Sequence, residues 1–322
     1  MELRWFELMD VVTIGESMVL FEPHEDEMIQ YSNNFNKRVG GAESNFAIGL
    51  SKLGHSVLWI SRLGKDPFGT YIHSFIRGEG VNVKVEFDPN ASTGIFFKQT
   101  GGFNQTKIHY FRKNSAASFL SPSDVLEEDI ASAKYLHITG ITPALSKSCH
   151  KTILHAIKIA KKNNVKVIFD PNIRQKLWDS SVYIPVLTEI LKSTDIFLPG
   201  EDELRLLFPD KEIKEIIPTI LGFGVEMIIV KNGAAGATFY TADGCENVSG
   251  YPNENVKDPV GAGDGFAAGF ISGLLESLTL YESVKRGNMI GAMVTMVRGD
   301  CEGLPTKEEL MEFQMNTSDV QR

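Results

Sequence analysis

The sequence predicts an α/β fold, a mostly parallel doubly wound sheet between helical layers with a small β-rich lid over one end. Three observations predict it. Short β-branched and apolar runs alternate with longer stretches of helical period along the chain. Two intervals, 17–38 and 84–114, break that rhythm and are too long for ordinary strand-to-helix connections. The composition, 43% hydrophobic and 10% aromatic over 322 residues, supports a large core.

Taken in order, Val11–Ile14 reads as a strand, Ala42–Leu53 as a helix, Val57–Ser61 as a strand and Pro67–Glu79 as a helix. The rhythm returns with a strand at Tyr135–Ile138, a helix at Ser148–Asn163 and a strand at Val165–Asp170. A helix at Ile184–Lys192 and strands at Asp195–Leu198 and Met227–Val230 follow. Gly94–Gln99 and Lys107–Arg112 read as lid strands joined by the polar turn TGGFNQ at 100–105. No Pro/Ser-rich linker divides the chain, so 1–322 is expected to be one domain, with residues 1–8 a dispensable extension.

With 41 acidic and 32 basic residues the net charge is −9, which lacks the basic footprint of nucleic-acid binding. Phe103, His109 and Tyr110 near Lys113 therefore argue weakly for base stacking. Cys149, Cys245 and Cys301 form no C-x-x-C pair, and His150 and His155 do not make H-E-x-x-H spacing. No disulfide framework or metalloenzyme site is expected. No apolar run approaches the roughly 20 residues of a spanning helix, and the start MELRWFELMD lacks a signal sequence. A cytoplasmic protein without a membrane partner is expected.

The sharpest motif is Asp258-Pro-Val-Gly261-Ala262-Gly263-Asp264-Gly265, followed by Phe266, Phe270, Ile271, Leu274 and Leu275 on one helical face. A small-residue loop entering a helix lets backbone N–H groups converge on an anion, aided by the helix dipole. Asp264 at the helix start suits either an N-cap or a base for a hydroxyl nucleophile, with its pKa expected to be lowered by the helix end. G-x-x-x-x-G-K-[ST], H-R-D and D-F-G are missing, and the glycines fail G-x-G-x-x-G at Phe266. P-loop enzymes, protein kinases and dinucleotide dehydrogenases fit poorly.

Together with Gly40-Gly41-Ala42-x-x-Asn45-x-Ala47 near the other end, this motif resembles the ribokinase-like (PfkB) carbohydrate kinase family over nearly the whole chain. The resemblance implies a ribokinase-like three-layer α/β/α core, a β-sheet lid, ATP as phosphate donor and Mg²⁺. It implies Asp264 as catalytic base, Gly261, Ala262 and Gly263 as anion hole, and Gly40, Gly41 and Asn45 as holders of sugar hydroxyls. It further implies Lys231, Gly233 and Gly236 beside the nucleotide and Asn288 near adenine. Glu203 matches an acid near the metal, although Gly200 stands where the family often carries Asn.

Within the family, Gly15-Glu16-Ser17-Met18, Tyr110–Ser118 and Asp170-Pro-Asn-Ile-Arg174-x-x-Leu-Trp178 are similar to the 2-keto-3-deoxygluconate kinase branch. A sugar-acid partner calls for arginine, whose planar fork suits a carboxylate. Arg112 and Arg174 are the candidates, joined at the substrate by Tyr110 and Asp300; Phe96 and Phe111 read as packing. The expected activity is ATP-dependent phosphorylation of 2-keto-3-deoxygluconate. The rivals are a fructokinase- or ribokinase-type enzyme of this fold and a catalytically silent sugar binder. Exposed lid edges suggest a homo-oligomer formed through the lid.

Overall fold

The computed structural model describes residues 9–24, 27–99, 106–175, 177–178, 180–251, 253 and 255–319. The proposed extension 1–8 and the turn at 100–105 lie outside the described residues. Among the described residues there are thirteen strands: β1 (Val11–Ile14), β2 (Met18–Pro23), β3 (Phe35–Gly40), β4 (Val57–Gly64), β5 (Asn82–Asp88), β6 (Ile95–Gln99), β7 (Lys107–Phe111), β8 (Tyr135–Thr139), β9 (Lys166–Asp170), β10 (Ile196–Phe197), β11 (Met227–Lys231), β12 (Gly236–Thr241) and β13 (Gly244–Ser249). The helices are α1 (Ala42–Lys52), α2 (Pro67–Gly78), α3 (Glu127–Ala131), α4 (Ile141–Leu145), α5 (Lys147–Lys162), α6 (Ser180–Leu191), α7 (Glu201–Leu207), α8 (Ile213–Leu221), α9 (Ala262–Leu275), α10 (Leu280–Thr295) and α11 (Lys307–Asp319).

A nine-stranded sheet runs β13-β12-β11-β10-β9-β8-β1-β4-β5. Every pairing from β11 to β5 is parallel, whereas the β11–β12 and β12–β13 pairings at one edge are antiparallel. Adjacent residues of a strand feed opposite helical layers. Val11 and Ile168 pack into one core with Phe46, Phe266 and Ile290, whereas Val12 and Phe169 pack into the other with Ile153, Leu187 and Ile216. The chain winds outward from β1 through β4 to β5, then restarts at β8 and winds the other way. The switch between β1 and β8 opens a crevice at the strands' carboxyl ends, where such sheets bind ligands.

Four strands in the order β3-β2-β6-β7 form the second sheet. Its inner face carries Met18, Leu20, Phe96, Ile108 and Tyr110, packed together over the crevice. The outer face carries an aromatic row in which Phe97 stacks on Phe21 at 5.4 Å and meets Phe35 and Phe111 edge-on. The lid interval expected at 84–114 starts too early, because 84–88 belong to β5, which pairs with β4 in the core sheet. Its polar alternation, Asn-Val-Lys-Val-Glu-Phe-Asp, reflects an edge position rather than a lid. The other interval ends too soon at 38, since β3 runs on to Gly40.

Candidate active site

Two helix starts meet at the crevice. Helix α1 crosses α9 where a Cβ on Gly49 would lie 2.8 Å from the Ala268 Cβ, so only a missing side chain allows the approach. That crossing brings Asn45 to Asp264: its Nδ2 donates to the Asp264 Oδ2 at 2.9 Å. At the entry to α9, Gly261 caps the helix with φ +82°, and a Cβ there would collide with the Asp300 carbonyl oxygen at 2.2 Å. Glycine is required at that turn on both counts. Gly40 has a different reason, since a Cβ on it would come within 2.4 Å of the Asp300 Oδ2.

Two cavities adjoin at the start of α9. One, of about 390 Å³, is lined by Gly233, Ala234, Gly236, Gly250, Tyr251, Ala262, Phe266, Asn288, Gly291 and Ala292. The other, of about 310 Å³, is lined by Glu16, Gly40, Gly41, Asn45, Tyr110, Arg112, Asp170, Arg174, Glu203, Gly261, Asp264 and Asp300. Lys231, Pro259 and Gly263 line both. Every residue implied for the nucleotide therefore borders the first cavity, and every residue implied for the sugar borders the second.

The electrostatics differ from expectation at Asp264. Its carboxyl is pushed up to about 7, first by burial, with the charges of Asp170 and Asp300 adding and the Asn45 amide and Arg174 opposing. The lowering expected from the helix end is overridden, because desolvation in the crevice penalises the anion more than the dipole favours it. Lys231 extends into the junction and pairs with the Asp170 Oδ2 at 2.5 Å. Burial disfavours its charge, but Asp170 and Glu203 outweigh that and raise its pKa. Glu203 accepts the Gly200 and Ile173 backbone N–H groups, one on each oxygen, at 2.8 Å. Burial, then the Asp170 charge, raises its pKa.

The two arginines are unlike. Arg112 is buried and already ion-paired to the buried carboxylate of Glu16, which also accepts the Ser115 hydroxyl at 2.5 Å. It reaches the cavity with its charge already compensated by Glu16. Arg174 is exposed toward the same cavity and makes no ion pair among the described residues. Asn288 is 8% exposed and donates to the Val248 and Ser249 carbonyls, tying α10 to β13.

Sequence reasoning missed Glu16, Asp170 and Lys98 as site residues. Glu16 and Asp170 fell inside quoted runs, and the signal was available: a lone acid at the carboxyl end of a predicted core strand. Lys98 lies on lid strand β6 with no exposed side-chain surface, between Asp258 at 2.6 Å and Asp300 at 3.0 Å.

The model of the pfkB family carbohydrate kinases matches residues 9–307. The chain belongs to that family. It is a carbohydrate kinase of ribokinase-like fold. It is 37% identical to the 2-dehydro-3-deoxygluconokinase of Bacillus subtilis (strain 168) over 308 residues, 95% of each chain. A PfkB protein from Polaromonas sp. JS666 superposes with a TM-score of 0.86 at 36% identity, over 94% of this chain and 99% of that one. A ribokinase II from E. coli in complex with ATP and Mg²⁺ superposes with a TM-score of 0.90 at 29% identity, over 96% of this chain and 100% of that one. Among the described residues no helix is long and apolar enough to cross a membrane.

Proposed function

We propose that this kinase transfers the terminal phosphoryl group of ATP to the terminal hydroxyl of 2-keto-3-deoxy-D-gluconate, giving the 6-phosphate and ADP. The observation that carries the reading is the pair of cavities meeting at Lys231, Pro259 and Gly263, one nearly devoid of charged side chains and the other crowded with them. The Bacillus relative's name and the ATP bound in the E. coli structure support the choice of the two substrates.

The sugar acid enters the charged cavity with its carboxylate toward Arg174, which makes no ion pair among the described residues. Its hydroxyls meet Gly40, Gly41, Asn45 and Asp300, with Tyr110 above them. Asp264 takes the proton from the terminal hydroxyl, and the Asn45 amide fixes the receiving carboxylate. The backbone N–H groups of Gly261, Ala262 and Gly263 lie at the entry to α9, where no intrahelical carbonyl is due to them, that of Ala262 reaching the Pro259 carbonyl at 3.4 Å. They face the charge that grows on the phosphoryl oxygens. Lys231 stands 3.9 Å from where a Gly263 Cβ would be, close enough to share that charge.

For Mg²⁺ the donor chemistry fits. Asp170 and Glu203 with Lys231 leave a surplus of negative charge from hard oxygen donors beside the junction. Those two carboxylates would hold the ion, which when bound neutralises phosphate charge. Among the described residues no ready-made group of three metal-binding side chains exists, as suits an ion that retains waters and phosphate oxygens. The lid's outer aromatic row, where Phe111 is 63% exposed, fits a second copy laid lid against lid.

Replacing Arg174 by Ala tests the assignment of the carboxylate. Loss of a charge-assisted contact is expected to raise KM for the sugar acid about 10–100-fold while leaving any residual turnover of fructose unchanged. An unchanged KM for the sugar acid contradicts it.

A further inference from the structure

Lys98 poses a question that the catalytic reading does not answer. It sits on the inner face of the lid, its side chain wholly removed from water, and its ammonium group contacts two aspartates from two different loops of the core. Asp258 is itself fully buried. It opens the loop that leads into α9, and its Oδ1 accepts the Val260 backbone N–H at 3.1 Å, shaping the approach to the anion hole. Its Oδ2 takes Lys98 at 2.6 Å and the Gly299 N–H at 3.4 Å. Asp300 follows α10; its Oδ1 takes Lys98 at 3.0 Å while its Oδ2 lies against Gly40 at the wall of the sugar cavity.

Taking three charged groups out of water is expensive, and stability alone is met as well by apolar residues of similar size. What an ionic cluster adds is register: the ammonium accepts only the lid position at which both carboxylates are within reach. That position fixes three things together. Strand β6 is brought down over the crevice, Asp258 holds the lead-in to the anion hole, and Asp300 is left with one oxygen free for the sugar. The neighbouring Phe96 on the same strand closes against Gly40, within 2.8 Å of a Cβ there.

We propose that Lys98 is a positioning residue that latches the lid to the core and holds Asp300 in the sugar-binding rotamer and Asp258 at the anion-hole loop. The proposal rests on the kinase reading above. Lys98 reaches neither substrate: it acts through the two aspartates. Since Asp300 faces the sugar cavity only, the effect of losing Lys98 falls on the sugar more than on the nucleotide.

The test is steady-state kinetics of the full-length K98M and K98R variants beside the parent, with Mg·ATP and 2-keto-3-deoxygluconate each varied in turn. For K98M the expected result is a sugar KM raised at least 30-fold, a kcat lowered about 10-fold and an ATP KM within twofold of the parent. K98R, which keeps the charge, is expected to recover at least a third of kcat/KM. A soluble K98M with all three constants within twofold of the parent overturns the proposal, even if its melting temperature has dropped.

If K98M does not fold, K98M/D258N neutralises one of the two carboxylates left without Lys98 and so restores the net charge of the cluster. A sugar KM still raised more than 10-fold in that variant supports the latch, and a parental one overturns it. Failure of the parent to turn over the sugar acid would count against the substrate assignment instead. The same comparison is then run with whichever sugar the parent accepts.

Discussion

The two cavities on either side of the α9 N-terminus, the proposed nucleotide side and the proposed sugar side, are walled by different chemistry. The nucleotide side is walled by glycines, alanines and backbone, with Asn288 as a buried polar anchor. The sugar side is walled by Glu16, Arg112, Asp170, Arg174, Glu203, Asp264 and Asp300. A shape-selective slot tolerates substitution at the scale of a lost contact. A charged cavity does not, because Glu16 is balanced by Arg112 and Asp170 by Lys231, and removing one member of such a pair leaves the other uncompensated. The difference predicts where mutations will be costly.

The largest effect is expected at Asp264. Asp264→Asn keeps the Asn45 contact in outline but removes the proton acceptor, and kcat is expected to fall about 10³-fold with both KM values little changed. The same residue sets the pH profile. With its carboxyl held near 7 in the free enzyme, the base is unprotonated only above that value. Accordingly kcat/KM should fall tenfold per pH unit below about 7 and level off above it. The sign for stability runs the other way. A carboxyl whose folded pKa lies above its unfolded one holds an extra proton when folded, so stability declines as pH rises from the ordinary carboxylate range through about 7. D264N is therefore expected to melt higher than the parent at pH 8, and a variant melting lower there would break the assignment of Asp264 as a strained, desolvated acid.

Next comes Arg112. Because it already neutralises buried Glu16, Arg112→Met is expected to cost about 3–5 kcal/mol of stability from the stranded carboxylate, read from urea unfolding. Glu16→Gln in the same chain should recover much of that loss. If R112M unfolds at the parental urea concentration, the charge-balance account of this cavity is wrong. Smallest is the nucleotide side. Asn288→Ala removes two hydrogen bonds to β13 and is expected to raise the ATP KM about 3–10-fold, with the sugar KM unmoved. An equal rise in both constants would erase the distinction between the cavities.

Much of this site was legible in the sequence because it is built from chain-local motifs. The D-P-V-G-A-G-D loop and the G-G-A-x-x-N segment each announce a strand or loop running into a helix, and the fold only has to bring the two helix starts together. The core strands were legible for the same reason: Val11–Ile14 and Tyr135–Ile138 are short runs rich in β-branched and apolar residues, and both are buried on their two faces, as parallel strands between two helical layers must be. What was not legible depends on partners far along the chain. Strand β5 has the alternation of a half-exposed strand and gave no sign of which sheet it joins. The partner of Arg112 was not legible because Glu16 is 96 positions away. The raised pKa of Asp264 arises first from burial, with the charges of Asp170 and Asp300 adding to it, and no local motif reports that convergence. Lys98, a lone charge inside Ile-Phe-Phe-Lys-Gln, was readable only as an alternation slip.

The central claim is that the charged cavity selects a sugar acid over a neutral sugar, and ADP release by the purified enzyme tests it most directly. With Mg·ATP in excess, 2-keto-3-deoxygluconate, fructose and ribose are compared at equal, sub-saturating concentration. The account predicts kcat/KM for the acid at least 100-fold above that for either neutral sugar, the worth of a charge-assisted carboxylate contact. Equal or better turnover of fructose or ribose would contradict it.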